Sequence, residues 1–337
     1  MPSMKAVQVS KAGGDFEAVE RPIPSPGQDE VRIKVEACGI CHSDQLVKEG
    51  HWPGLAYPRV PGHEVAGRID EVGPGVSAWK VGQRVGVGWH GGHCFVCEAC
   101  RRGDFINCAR AHISGLTRDG GYAQYMIARE EAVAAIPESL NALDAGPLLC
   151  AGITTFNSLR HSGARPGDRV AIQGVGGLGH LAIQFASKMG FVAIAISTGK
   201  DKEALARRLG AVHYIDAGSS DPAKELLKLG GAHLVLATAP SSKAITPLIN
   251  GLTTRGKLLI VAAAMDPLAV PPVVLLSGKS IAGWPSGSAM DSEDTLNFSA
   301  VSGVRPMVEN YPLEKANEAY ARMIGNRARF RVVLTTA

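Results

Sequence analysis

The sequence predicts an α/β protein in which a β-rich part precedes a parallel, doubly wound sheet. Three observations support this prediction. About the first 150 residues hold short apolar runs between Gly and Pro signals, and the residues that follow alternate strand-like with helix-like runs. A glycine cluster also stands where the first of these later strands meets its helix. The length of 337 residues suggests about two domains.

The individual elements follow from apolar periodicity and from turn-forming residues. Strands are predicted in the β-rich part at Val31–Val35, Val65–Ile69 and Arg84–Val87. The alternating part is predicted to hold strands at Arg169–Gln173, Val192–Ile196, Leu234–Ala237 and Lys257–Val261, with helices at Leu178–Met189, at Lys202–Leu209 and between the last two strands. After Gly283 the pattern becomes irregular, with one helix predicted at Leu313–Ile324 and a final strand at Arg331–Leu334.

Composition limits the possible partners and location. The net charge is only +4 and the basic residues are dispersed, which argues against a nucleic-acid partner. The N-terminal segment lacks a basic stretch followed by an apolar one, and no apolar run reaches membrane-spanning length. Seven cysteines without an export signal therefore predict a reducing, cytoplasmic location and metal binding in place of disulfides.

Four cysteines form the most conspicuous motif, with the spacing C-x2-C-x2-C-x7-C: Cys94, Cys97, Cys100 and Cys108. Four closely spaced thiolates can close a tetrahedral zinc site with no open position, so structural zinc is the favoured interpretation. An iron–sulfur cluster is the main alternative, but its motif places proline after the last cysteine, where this chain has Ala109. Redox-active or fortuitous cysteines are the remaining alternative.

The glycine cluster at 174–179 matches G-x-G-x-x-G, the fingerprint of a dinucleotide-binding turn. Its predicted cofactor-binding residues are Gly174, Gly176, Gly177, Leu178 and Gly179. Gly174 permits the tight turn, Gly176 lets the backbone approach a pyrophosphate, and Gly179 lets the helix pack close to the strand. A glycine-rich turn without a ligand is the alternative.

The choice between NAD and NADP is read at the end of the second strand, where NAD enzymes usually place an acid. That strand is predicted to end at Ile196, and Ser197, Thr198 and Lys200 follow. Asp201 comes late and lies between two lysines. Hydroxyls followed by a lysine suit a 2′-phosphate, so NADP is favoured over NAD; a solvated loop that binds nothing is the alternative.

The remaining cysteines are Cys38, Cys41 and Cys150, and their spacing alone defines no site. Cys41 begins Cys-His-Ser-Asp, and His63 follows about twenty residues later. A Cys/His/Cys set with an open fourth position suits catalytic zinc. A buried cysteine is, however, more often a small hydrophobic residue than a ligand, and Cys38 is expected to pack in the core.

An ordered set of motifs resembles the zinc-dependent medium-chain alcohol dehydrogenases, in the branch that holds yeast-type and cinnamyl-type enzymes. Over nearly the whole chain the motifs are Cys41–Asp44, Gly62–Glu64, the four-cysteine cluster, Gly120–Ala123, Cys150–Thr154 and the glycine cluster. The resemblance implies a GroES-like catalytic domain at 1–149 and 284–337, with a structural zinc lobe at about 91–110, and a Rossmann domain at 150–283. It also implies a homo-oligomer, a tetramer in preference to a dimer.

The resemblance further implies that Cys41, His63 and Cys150 hold a catalytic zinc ion. Glu64 would lie beside the metal and serve as a transient ligand. Asp44 would accept a hydrogen bond from His63, as metal-bound histidines generally require.

The implied proton relay departs from the family pattern. Ser43 would pass the alcohol proton outward, and yeast-type enzymes continue to a histidine eight residues after the first zinc cysteine. This chain has Glu49 at that position, and His51 is out of register. The relay base is therefore Glu49, His51, or a route through cofactor hydroxyls and water.

The resemblance also assigns outer residues. His42 and Arg331 would lie near the cofactor phosphates and Thr154 near the nicotinamide, while Trp52 and Trp89 would line the substrate pocket. The alternatives are an exposed strand-end charge for Arg331 and ordinary core packing for either tryptophan.

These observations together predict a zinc-containing alcohol dehydrogenase and aldehyde reductase that interconverts an alcohol, primary and apolar or aromatic, with its aldehyde. Two zinc ions per chain and NADP are the expected cofactors, with NAD as the alternative. The competing interpretations are a zinc reductase of the same fold for a polyol, imine or ketone, and a non-enzymatic cofactor-binding relative.

Overall fold

The structure is a computed structural model that describes residues 2–336. The strands are β1 (Ser3–Val9), β2 (Phe16–Pro22), β3 (Glu30–Ile40), β4 (Val65–Val72), β5 (Arg84–Val87), β6 (His90–Gly92), β7 (His112–Ile113), β8 (Tyr125–Arg129), β9 (Val133–Ala135), β10 (Arg169–Gln173), β11 (Val192–Ser197), β12 (His213–Asp216), β13 (Ala232–Ala237), β14 (Leu252–Ile260), β15 (Ser280–Gly283), β16 (Val308–Pro312) and β17 (Arg331–Thr335). The α-helices are α1 (Gln45–Lys48), α2 (Glu98–Arg101), α3 (Ala142–Pro147), α4 (Ile153–Arg160), α5 (Gly179–Lys188), α6 (Glu203–Arg208), α7 (Pro222–Lys228), α8 (Ser242–Ile245), α9 (Ala289–Ser302) and α10 (Ala316–Ile324).

The predicted strand–helix alternation is confirmed, and β5 and β10 have the predicted bounds. The helix α9 is the main element that the sequence did not predict. Its buried positions include Ser292, Thr295 and Ser299 beside Leu296, so its inner face carries hydroxyls and the apolar period is weak. Ser288 and the Asp291 side chain close a capping box at its start.

The chain divides into two compact units, Met1–Ile153 with Gly287–Ala337, and Thr154–Ser286. The second unit contains a six-stranded sheet in the order β12-β11-β10-β13-β14-β15, in which every neighbouring pair is parallel. Strand order therefore reverses at β10, between β11 and β13. In open parallel sheets such a switch point creates the crevice in which nucleotides bind.

The first unit is built on a seven-stranded sheet, in which β16-β17-β3-β4-β5-β9 run side by side and β8 also pairs with β3. The pair β16–β17 is parallel and the other pairs are antiparallel. Its core joins apolar side chains from these strands with Phe16, Tyr122 and Tyr320. Cys38 is fully buried in this core, which confirms its predicted packing role.

Candidate active site and cofactor site

Four potential metal ligands converge in the first unit. β3 and β4 are antiparallel neighbours, so the end of one lies beside the start of the other. Cys41 follows β3, His63 and Glu64 precede β4, and Cys150 lies in the π-helical turn Leu148–Gly152. Their ligand atoms all lie within 4.8 Å of one another.

The chemistry of this cluster fits a zinc ion. The sulfur atoms of Cys41 and Cys150 lie 3.7 Å apart. His63 Nε2 is buried and has no hydrogen-bond partner among the described residues. A hydrogen bond from Cys150 and the nearby His63 charge hold the pKa of the Cys41 thiol well below its usual value, although burial opposes this. Two sulfurs, an imidazole nitrogen and a carboxylate suit zinc. The buried, unpaired His63 Nε2 is the nitrogen that would bind the metal.

Asp44 fixes the orientation of the His63 ring. The Asp44 carboxylate is 2% exposed, and its Oδ1 lies 3.3 Å from His63 Nδ1. Its Oδ2 accepts hydrogen bonds from the Cys41 backbone N–H at 2.9 Å and from the Tyr122 hydroxyl at 2.8 Å. With Nδ1 facing the carboxylate, Nε2 is the nitrogen that faces the sulfurs.

Glu64 forms a buried ion pair with Arg331. The Arg331 guanidinium bonds to one Glu64 oxygen and to the Ile40 carbonyl, the latter at 3.1 Å. The other oxygen, Oε2, has no hydrogen-bond partner within residues 2–336. Burial raises the pKa of Glu64 to about 7, against the opposing charge of Arg331. Arg331 is only 7% exposed, so the alternative of an exposed strand-end charge is wrong: strand β17 directs this side chain into the core.

The two tryptophans lie together beside the cluster. The Trp52 and Trp89 rings meet edge to face with centroids 6.4 Å apart, and Trp89 meets the His63 ring in the same way at 5.1 Å. Both rings pack against the core but remain partly exposed. Their position gives the cluster an aromatic wall.

The predicted relay residues are not hydrogen-bonded to one another. Ser43 lies in the short 3₁₀ turn His42–Asp44, with its neighbour His42 exposed. Glu49 follows α1 and lies 3.8 Å from the Lys48 amine, while His51 is exposed. Within residues 2–336, no direct hydrogen bond joins the Ser43 side chain to either predicted base.

The second cluster contains the four cysteines of the C-x2-C-x2-C-x7-C motif. Their sulfur atoms all lie within 4.8 Å of one another, around the short helix α2. The Cys94 and Arg110 backbone N–H groups donate to Cys108 Sγ, each at 3.3 Å. Hydrogen bonds from the Val96 and Cys97 backbone lower the pKa of Cys94 to about 5. Four thiol groups and N–H···S bonds fit a closed, structural zinc site.

The glycine turn lies between β10 and α5 in the second unit. Gly174 adopts φ of +96°, in the region that glycine occupies without strain. A Cβ on Gly179 would lie 1.8 Å from the Gly174 carbonyl oxygen, so only glycine allows this approach. A Cβ on Gly176 would have no atom within 4 Å. Thr154, the predicted nicotinamide contact, lies at the start of α4 and is 9% exposed.

The turn after β11 is held by an acid from the next strand. Asp216 Oδ1 accepts hydrogen bonds from the Gly199 and Gly218 backbone N–H groups, at 2.7 and 2.8 Å. These bonds hold the pKa of Asp216 below its usual value. Thr198 and Lys200 are exposed on the same turn. The carboxylate is thus already engaged by the turn itself.

Two residues of these sites were not predicted as site residues from the sequence. Tyr122 belongs to the Gly120–Ala123 motif, which signalled the family but gave no role for the hydroxyl. Asp216 lies in β12, opposite Ser197 in register, and an acid at the end of a third strand carries no recognised cofactor signal.

Two family models match the chain. Residues 27–138 match the alcohol dehydrogenase GroES-like domain, and residues 177–300 match the zinc-binding dehydrogenase family. Fold and site therefore define an oxidoreductase with a GroES-like part and a Rossmann-like parallel sheet.

Individual relatives agree. The alcohol dehydrogenase patD of Penicillium expansum is 46% identical over 331 residues, covering 98% of this chain and 97% of that protein. The solved structure of a cinnamyl alcohol dehydrogenase from Sorghum bicolor superposes with a TM-score of 0.89 at 32% identity, covering 99% and 98% of the two chains. The structure of CAD from Helicobacter pylori complexed with NADP(H) gives 0.88 at 25% identity, with coverages of 99% and 98%. The chain belongs to the zinc-dependent medium-chain alcohol dehydrogenase family, and the predicted alcohol dehydrogenase activity is confirmed.

Proposed function

We propose that the protein oxidises a primary, apolar or aromatic alcohol reversibly, with a catalytic zinc ion held by Cys41, His63 and Cys150 and with NADP as the hydride carrier. The observation that carries this proposal is the convergence of two sulfurs on the buried, unpaired Nε2 of His63. When bound, zinc supplies a Lewis acid for the alcohol oxygen and the nicotinamide takes up the hydride.

The protein's own residues prepare this site. Cys41, with its lowered pKa, supplies the anionic thiolate that a cation requires. Asp44 keeps His63 in the orientation that leaves Nε2 free, and Glu64 offers a further oxygen at the same point. Arg331 neutralises Glu64 and so limits how strongly that carboxylate competes for the metal.

We assign the proton path from the substrate to Ser43, the hydroxyl in the turn that follows Cys41. Continuation to Glu49 or His51 then depends on water or cofactor hydroxyls, because no direct hydrogen bond links these side chains to Ser43. His42 is assigned to the cofactor phosphates and Thr154 to the nicotinamide, following the family pattern. Arg331 is assigned to the phosphates through guanidinium nitrogens other than Nη2, which bonds to Glu64 and the Ile40 carbonyl.

The preference for NADP is supported by the turn after β11. Ser197, Thr198 and Lys200 offer two hydroxyls and an ammonium group. Asp216 lies on the next strand, and it already accepts two backbone N–H groups at Oδ1 and the Ser219 hydroxyl at Oδ2. Relatives of known structure include one described as complexed with NADP(H) and one described as NAD-dependent, so the preference rests on the residues of this turn.

The substrate preference is supported by the aromatic wall formed by Trp52 and Trp89. An apolar or aromatic alcohol would bury its carbon chain against these rings, while its oxygen points toward the metal ligands. A polyol would leave several hydroxyls without partners on such a wall, which disfavours that alternative.

The remaining assignments concern organisation. We infer a GroES-like catalytic domain and a Rossmann cofactor domain that correspond to the two compact units, and a cytoplasmic protein. A homo-oligomer is supported by the edge strand β15 and the adjacent turn Pro272–Ser277, where Val273 and Leu276 are 68% and 83% exposed. The preference for a tetramer over a dimer follows the family pattern alone. None of the described helices is long and apolar enough to cross a membrane.

Replacement of one ligand at each zinc site tests the proposal. We expect wild-type protein to bind about two zinc ions per chain, and Cys41→Ser and Cys108→Ser each to bind one fewer. Cys41→Ser is expected to lose alcohol oxidation while keeping the structural zinc ion, whereas Cys108→Ser is expected to lose stability before chemistry, because Cys108 belongs to the closed lobe. Retention of full activity by a Cys41→Ser protein that has lost one zinc ion would falsify the assignment.

A further inference from the structure

We propose that Tyr122 is a positioning residue for the catalytic zinc site, because its hydroxyl holds Asp44 in the orientation that fixes His63. The proposal rests on the zinc site proposed above. It extends that site to Tyr122, whose hydroxyl bonds to Asp44 and to none of the proposed zinc ligands. Tyr122 is fully buried, and its hydroxyl donates to Asp44 Oδ2 at 2.8 Å.

The only charged partner of the Asp44 carboxylate within residues 2–336 is the His63 ring, whose Nδ1 lies 3.3 Å from Oδ1. Within residues 2–336, no lysine or arginine pairs with it, and at 2% exposure it is shielded from bulk solvent. Its Oδ2 has two donors, the Cys41 backbone N–H and the Tyr122 hydroxyl, and its Oδ1 faces His63. A buried carboxylate that loses one of so few donors becomes costly to bury and free to rotate.

Tyr122 is held in place by the same segment that carries His63. The Tyr122 backbone N–H donates to the Pro61 carbonyl at 3.0 Å, and the Gly121 N–H donates to the Gly62 carbonyl at 3.0 Å. These two bonds lock the tyrosine loop against the residues that directly precede His63. The hydroxyl and the imidazole therefore approach Asp44 from two loops in a fixed register.

The tyrosine ring has little freedom of its own. It lies 5.9 Å from the Phe16 ring, and a Cβ on Gly62 would come within 2.5 Å of its Cδ1 atom. A ring packed this closely cannot swing its hydroxyl away from Asp44. The hydrogen bond is consequently directed by packing, which is what a positioning role requires.

The test compares Tyr122→Phe with the control Tyr320→Phe. Tyr320 is also buried and packs edge to face on Phe16 at 5.1 Å, but its hydroxyl bonds to no described residue. For each protein, the dissociation constant of the catalytic zinc ion is measured by competition with a chelator, and Co²⁺ absorption reports the ligand geometry. We expect Tyr122→Phe to weaken zinc binding by roughly 3- to 10-fold and to shift the Co²⁺ bands, because outer partners of metal ligands contribute about 10- to 100-fold and Tyr122 acts one bond further out. Tyr320→Phe is expected to match wild type.

A double-mutant cycle shows whether the effect passes through Asp44. In the Asp44→Ala background, Tyr122→Phe is expected to change zinc affinity by less than about 2-fold, since the carboxylate that it holds is gone. An undiminished effect in that background overturns the proposal. The proposal is also overturned if Tyr122→Phe lowers the stability of both the zinc-free and the zinc-loaded protein but leaves zinc affinity and the Co²⁺ bands as in wild type. That result would describe a purely structural residue. If wild-type protein binds zinc only at the four-cysteine cluster, the proposed catalytic site fails as well.

Discussion

Two glycines of the turn, Gly176 and Gly179, have opposite surroundings, so alanine at one should affect cofactor binding and alanine at the other should affect folding. A Cβ on Gly176 would have no neighbour within 4 Å, and the residue is not in the left-handed region, so Gly176→Ala leaves the protein itself unstrained. We expect its unfolding free energy to stay within about 1 kcal/mol of wild type. The added methyl group would project from the turn against which a pyrophosphate packs. Overpacking of this kind costs about 1–3 kcal/mol, which corresponds to roughly 5- to 150-fold weaker NADPH binding.

Gly179→Ala is expected to behave in the opposite way. Its Cβ would lie 1.8 Å from the Gly174 carbonyl oxygen, a backbone atom that cannot rotate aside. The start of α5 must therefore move by roughly 1 Å from β10, at the upper end of the usual overpacking cost, about 3 kcal/mol. Alanine regains up to about 1 kcal/mol of helix propensity, so a net loss of about 2 kcal/mol remains.

Calorimetric unfolding and isothermal titration with NADPH distinguish these two outcomes. We expect Gly176→Ala to unfold at the wild-type temperature and bind NADPH weakly, and Gly179→Ala to unfold several degrees lower. If Gly176→Ala binds NADPH as tightly as wild type, or if Gly179→Ala keeps the wild-type unfolding temperature, the steric reasoning for this turn is wrong.

Two further predictions concern charge. Lys200→Ala should weaken NADPH binding by roughly 10-fold through loss of one charge-assisted hydrogen bond and leave NADH binding unchanged. Lys188→Ala, at the far end of α5, is the control. Equal losses for both nucleotides would exclude a contact between Lys200 and the 2′-phosphate. His90 is buried, and burial together with the nearby His93 lowers its pKa to about 4. Between about pH 6.5, the pKa of His90 in the unfolded chain, and pH 4, His90 is protonated in the unfolded chain but neutral in the folded one. The free energy of unfolding should therefore fall as pH falls through this range. Urea unfolding at pH 7 and pH 5 should show a smaller loss for His90→Leu than for wild type, by about 1 kcal/mol or more, and identical losses would contradict this.

Much of the fold could be predicted because its signals are local. The strands β5 and β10 follow from short β-branched runs between turn residues, and α5 follows from its apolar period after the glycine turn. The helix α9 escaped prediction because hydroxyls occupy its inner face, where the pattern expects apolar side chains. The π-helical turn that carries Cys150 also has no local pattern, since its geometry results from packing.

The candidate site also contains some residues that local sequence reveals and others that only the folded chain brings together. The four-cysteine cluster is visible as a motif because its chemistry requires cysteines at short spacings. Cys41, His63 and Cys150 were predicted only through the family resemblance, since 109 residues separate Cys41 from Cys150. The buried pairing of Arg331 with Glu64 spans 267 residues, and the bond from Tyr122 to Asp44 spans 78. Such partners depend on how β17 and β3 lie side by side and on how two loops interlock, and neither leaves a trace in local sequence.

The sequence by itself therefore determined the class of fold, and it predicted the candidate zinc ligands and the cofactor turn, because residue type, short-range periodicity and the order of the motifs carry these signals. Only the tertiary structure decided which side chains orient those ligands. It directs Arg331 to Glu64, gives Asp44 its hydrogen bond from Tyr122, and places Asp216 against the turn that follows β11. The physical reason is that hydrogen-bond partners far apart in the chain are selected by strand register and close packing, which only the folded chain contains.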